Sequence, residues 1–173
     1  MYRPEDLRAG DIVLCEGGLD VRDPLGLLFM WASDNPFQHA ALVGEGELLE
    51  SVDVVGVAPL DAYAQVGWRY GVAGASPAQL RTAVAAARCR IGEAYGYRTL
   101  VREGGRIPLA RRLDPHDVVS AGLVCWAFAQ AGIRLSWEAL PSVASLSYSP
   151  LLLGLRPWRR AGWIDLPAPL GLV

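Results

Sequence analysis

Two short apolar-rich runs placed back to back, His39–Gly44 (HAALVG) and Glu47–Val52 (ELLESV), constrain this chain more than any other feature. Only Glu45-Gly46 separates them, a pair suited to a tight hairpin turn, so the two runs are read as neighbouring antiparallel strands. Other segments of strand character lie around them. Ile12–Cys15 is an apolar strand stopped by Gly17 and Gly18, Val54–Ala58 ends at Pro59, and Trp68–Val72 carries β-favouring Trp, Tyr and Val. The helices announce themselves differently. Ser76-Pro77 supplies a cap and a first-turn proline ahead of AQLRTAVAAARCRIG, and Gly92 is a fitting stop. A second, strongly apolar helix is expected over Ser120–Ala131, closed by Gly132. A shorter one follows Asp23-Pro24 and ends at Asn35-Pro36, because a residue before proline is pushed out of the α region. Residues Arg102–Pro115 read as an Arg- and Pro-rich loop. The segment 141–173 holds five of the twelve prolines and reads as a Pro/Trp/Arg-rich wrap over the surface rather than a second domain. The expected class is α+β: one domain over residues 1–173, with an antiparallel sheet packed on a central helix.

Composition narrows the function classes. At 173 residues the chain is long enough to bury one sizeable core, and 52% hydrophobic against 20% charged residues excludes a disordered or linker protein. A net charge of −2 gives no electrostatic case for binding nucleic acid, although all sixteen basic residues are arginine. No apolar run approaches the roughly 18 residues of a membrane span. Cys15, Cys89 and Cys125 are odd in number and lack CxxC spacing, and His39 and His116 are the only histidines. Neither a disulfide framework nor a metal or organic cofactor is expected.

Four segments carry a resemblance. IGEAYGY (Ile91–Tyr97) followed by SAGLVCWAFAQAGIRL (Ser120–Leu135) resembles the tyrosine and nucleophile-helix motifs of NlpC-type cell-wall peptidases. HAALVGEGELLES (His39–Ser51) resembles their histidine hairpin, shortened by one residue. The histidine hairpin here precedes the helix. That order resembles the circularly permuted branch of the family, which includes lecithin retinol acyltransferase-like proteins and YiiX-like bacterial hydrolases. The opening Gly10–Leu14 (GDIVL) fits the same branch, and the likeness spans about residues 5–135.

The resemblance implies a permuted papain-like fold and site: a nucleophile at a helix start, a histidine on the sheet as base, and a polar group orienting that histidine. His39 occupies the histidine slot. Glu50, eleven residues on, falls at the orienting slot; strand residues alternate faces, so only one of Glu50 and Ser51 can face His39, and the carboxylate is preferred. Tyr95 matches the tyrosine lining the substrate cleft. Counting back from the Gly-Leu-Val run puts Ser120 where the family has its cysteine. Cys125 lies about 140° around and about 7.5 Å along a regular helix from it, so Ser120 and Cys125 are alternatives. In one register Ser120 opens the helix; in a shifted register the helix begins at Cys125. Cys15 and Cys89 read as packing residues, and His116 as part of a polar loop.

The expected function is a papain-like amidase, peptidase or acyl hydrolase acting through an acyl-enzyme on peptidoglycan peptide, amide or lipid acyl bonds. The alternative is a family member that lost the chemistry and serves as a binding or assembly module, for instance in a virion. The compact Arg156, Trp158, Arg159 and Arg160 cluster is a candidate protein-binding surface, and equally reads as arginines covering tryptophan. With no leader in the opening residues, the expected location is the cytoplasm, or delivery by lysis or a phage-like particle.

Overall fold

The computed structural model describes residues 1–17, 35–52, 54–94, 120–138 and 141–153. A 3-10 turn at Pro4–Asp6 leads into β1 (Ile12–Glu16), β2 (Phe37–Val43), β3 (Glu47–Ser51), β4 (Val55–Pro59) and β5 (Gly67–Val72). Helices α1 (Pro77–Cys89), α2 (Ser120–Gln130) and the short α3 (Val143–Ser147) follow, and β6 (Leu152–Leu153) ends the described chain. The six strands form one sheet in the order β4-β3-β2-β1-β5-β6, every pair antiparallel. The class is α+β.

The hairpin forms where the sequence places it: Leu42 pairs with Leu49 and Val43 with Leu48. Alternation then divides the strands between two cores. Ile12, Leu14, Ala40, Leu42 and Leu49 face one side and pack with α1 and α2 through Ala83, Val84, Leu123, Val124 and Phe128. Val13, Cys15, Ala41, Val43 and Leu48 face the other, covered by Tyr2 and by the turn 60–66. The sheet is therefore buried on both faces, which is why β1 and the end of β2 read as unbroken apolar runs rather than as alternation.

Ser76 caps α1 through a reciprocal capping box with Gln79, as the Ser-Pro start predicts. Beyond α2, Gly132 takes a φ of +77°, a backbone state that an L side chain resists. The segment after Pro141 is more regular than expected from its composition. Ser142 and Ser145 form a second capping box that starts α3, and β6 pairs with β5. The signal was a Ser-x-x-Ser spacing, obscured by the prolines around it. The Asp23-Pro24 helix, the Arg102–Pro115 loop, Tyr95, His116 and the Arg156, Trp158, Arg159, Arg160 cluster lie outside the described residues.

Candidate functional site

A β-bulge next to the junction of Cys15 and Glu16 sets the register in which Cys15 stands opposite His39. From His39 onward β2 alternates regularly, so His39 shares the face of Ala41 and Val43, with Cys15 beside it. On the next strand Glu50 shares that face with Leu48, and Ser51 turns into the helix side. His39 Nε2 and Glu50 Oε2 are 2.7 Å apart, and the Tyr63 hydroxyl donates to the same Oε2, also at 2.7 Å. The Tyr63 ring leans over the imidazole, with centroids 5.2 Å apart. Tyr63 carries no motif signal. It arrives from the β4–β5 turn, and only the folding of that turn over the sheet brings it here.

Electrostatics follow from this packing. Burial works against a charged Glu50, yet the hydrogen bonds from His39 and Tyr63 outweigh it and hold the carboxyl below its usual range. Tyr63 moves the opposite way: burial raises its hydroxyl, and the Glu50 charge raises it further, so it stays a donor. With Glu50 ionised, a neutral His39 ring carries its proton on Nε2, in the bond to Glu50, and its lone pair on Nδ1. Nδ1 has no hydrogen-bond partner among the described residues. This is the tautomer of a base ready to take a proton. Burial, then the Glu50 charge, pushes the Cys15 thiol up to about 12, so the sulfur beside His39 is a neutral packing atom at physiological pH.

The nucleophile candidates lie on α2. The helix already includes Ser120, so the register that starts it at Cys125 is not the one that folds. Cys125 sits mid-helix, buried, and its thiol is pushed up to about 12 by burial and then by Glu138. It has no thiolate character at neutral pH. Ser120 is buried on the helix side of the sheet. Gln79 of α1 bonds the carbonyl of Ala131, while Arg90 stands over Trp126, so the two helices run antiparallel. Leu80 lies against Gly10, just before β1. The start of α2 therefore falls at the end of the sheet where β1 finishes and His39 begins its run. The side chains still leave opposite faces, and among the described residues no hydrogen bond joins Ser120 or Cys125 to His39.

With that geometry in place, likeness to known proteins is informative in one direction only. No protein-family model and no curated protein matches the sequence. Among solved structures, the crystal structure of metalloprotein YiiX from Escherichia coli O157:H7 (DUF1105) superposes with a TM-score of 0.65. The match covers 84% of this chain and 94% of that one at 15% identity. The fold is YiiX-like. At that identity the likeness concerns fold and carries no activity with it. Among the described residues, no three His, Cys, Asp or Glu side chains are grouped so as to hold a metal ion, and no helix is long and apolar enough to cross a membrane.

Proposed function

We propose that this chain is an acyl hydrolase of the circularly permuted papain-like class, cleaving amide or ester bonds through an acyl-enzyme. His39 is the general base, Glu50 orients it, and Ser120 is the nucleophile. The observation that carries this reading is the 2.7 Å His39–Glu50 bond, which commits Nε2 to a carboxylate and, among the described residues, leaves Nδ1 without a hydrogen-bond partner. Permutation and the NlpC-like and lecithin retinol acyltransferase-like kinship rest on the order and wording of the motifs. So do the substrate classes, namely peptidoglycan peptide, other amides and lipid acyl groups.

Chemically, the Ser120 Oγ attacks the substrate carbonyl carbon as its proton passes to His39 Nδ1. The imidazolium, held by Glu50, returns that proton to the departing amine or alkoxide. Water then repeats the sequence on the acyl-serine and restores the free hydroxyl. A hydroxyl is a much weaker acid than a thiol, so this base is indispensable rather than auxiliary. The step requires the start of α2 to present Ser120 around the end of the sheet toward His39. YiiX is described as a metalloprotein; here His39 Nε2 is bonded to Glu50 Oε2, and among the described residues no third His, Cys, Asp or Glu joins them in a metal-holding group, so no step is routed through a metal.

One observation favours a second reading, a module that binds such ligands without turnover: Ser120 and His39 are not in contact. Hydrolysis of p-nitrophenyl acetate by the intact chain separates the two. The hydrolase reading predicts a rate that falls about 10²–10⁴-fold in His39→Ala and to the uncatalysed level in Ser120→Ala. Equal, buffer-level rates in all three proteins overturn it and leave the binding module.

A further inference from the structure

The turn that carries Tyr63 is anchored far more tightly than a surface connection requires. The Tyr63 carbonyl accepts from both Val66 N–H and Gly67 N–H, at 3.1 and 2.6 Å. The Tyr2 hydroxyl donates to the Leu60 carbonyl at 2.7 Å, and the Tyr2 N–H bonds the Gly67 carbonyl. Gly67 leaves room for this arrangement: a Cβ there would lie 2.5 Å from Tyr2 Cε1 and 2.7 Å from the Tyr63 carbonyl. The result is a phenol hydroxyl held at a fixed point over the sheet. That point is the single carboxylate oxygen, Glu50 Oε2, which also takes the His39 hydrogen bond.

We propose that Tyr63 is a positioning residue for His39, acting through Glu50: by pinning Oε2 it fixes the carboxylate against Nε2 and keeps the ring in its Nδ1-open form. This deepens the reading of His39 as a base and rests on it. A glutamate side chain has three rotatable bonds and reaches His39 from a neighbouring strand, so one hydrogen bond leaves it several orientations. A second donor to the same oxygen, from a rigid turn, removes that freedom. Tyr63 does not touch the reacting atoms. Among the described residues, Cys15 from β1, Glu50 from β3 and Tyr63 itself face the ring on this side, and Cys15 is a neutral thiol.

The test reads the ring directly. In the intact ¹⁵N-labelled chain, long-range proton–nitrogen NMR above the histidine titration reports the Nε2–H to Nδ1–H tautomer ratio, and His116→Gln assigns the two histidines. The Nε2–H form should dominate. Tyr63→Phe keeps the ring against His39 and removes only the hydroxyl; the ratio should fall about threefold to tenfold, a fraction of the worth of the charge-assisted bond removed, because Tyr63 acts on the ring only through Glu50. Tyr2→Phe removes a hydroxyl that anchors the turn at Leu60 and does not reach Glu50, so it should lower the ratio by less than Tyr63→Phe does. An equal fall in both variants would make the effect one of turn packing and overturn the proposal. Glu50→Gln separates the two levels of the argument. If it scrambles the tautomers while Tyr63→Phe does not, the Tyr63 role is wrong and the base reading stands. If neither variant changes the ring, both fall.

Discussion

The three cysteines illustrate how environment, rather than residue type, decides reactivity in this chain. Cys15 and Cys125 are buried with thiols pushed up to about 12, whereas Cys89 is exposed at the end of α1. Iodoacetamide at neutral pH should therefore modify Cys89 first and the other two only as fast as the fold opens, with no change in His39→Ala. Fast labelling of Cys125 that collapses in His39→Ala would instead reveal a histidine-activated thiolate. Glu50 makes a second residue-level prediction. Its folded-state carboxyl is held below the usual range, so its stabilising contribution is complete above the unfolded value near pH 4.3. That contribution is lost as pH falls through the folded value. The gap in urea midpoint between the parent and Glu50→Gln should be widest at neutral pH and narrow in acid. A pH-independent gap would mean that the Glu50 charge is not what the fold holds. His39 and Glu50 were legible in the sequence because the resemblance places both slots in the hairpin and alternation lets only one of Glu50 and Ser51 share the face of His39. Tyr63 was not: its partner lies thirteen residues away across a turn whose course no local pattern encodes.

At the scale of elements, the sequence was most legible where punctuation is chemical. The Ser76-Pro77 start, the Glu45-Gly46 turn and Gly132 mark boundaries within a residue or two, because caps and left-handed turns restrict which side chains can occupy them. Alternation was less help for β1, Ile12–Glu16, whose first four residues are all buried between two cores. Its face assignment is visible only once its neighbours are in place. The turn 60–66 links element structure to the site. Gly67→Ala places a methyl against the Tyr63 carbonyl and Tyr2, and should destabilise the chain by about 1–3 kcal/mol. Unlike a core truncation of equal cost elsewhere, such as one at Leu146 of α3, it should also disturb the His39 tautomer ratio. A destabilised Gly67→Ala with an unaltered ring would show that the turn and the site are independent.

For the whole molecule, the sheet is a partition. One face builds the main core with α1 and α2; the other is closed by the N-terminal Tyr2 and the 60–66 turn, and holds His39 and Glu50 beneath it. This division could not be read from motifs, which fix the order of parts along the chain but not the face of the sheet each part occupies. It also sets what the proposed function must explain, since the proposed base and the proposed nucleophile occupy different sides at the same end. The most direct measurement is the intact mass of the chain, quenched in acid within the first turnover with p-nitrophenyl acetate and followed by peptide mapping. The account predicts a single acetyl group on Ser120 that does not accumulate in His39→Ala. An unmodified chain, or an acetyl group on any other residue that persists in His39→Ala, would contradict it.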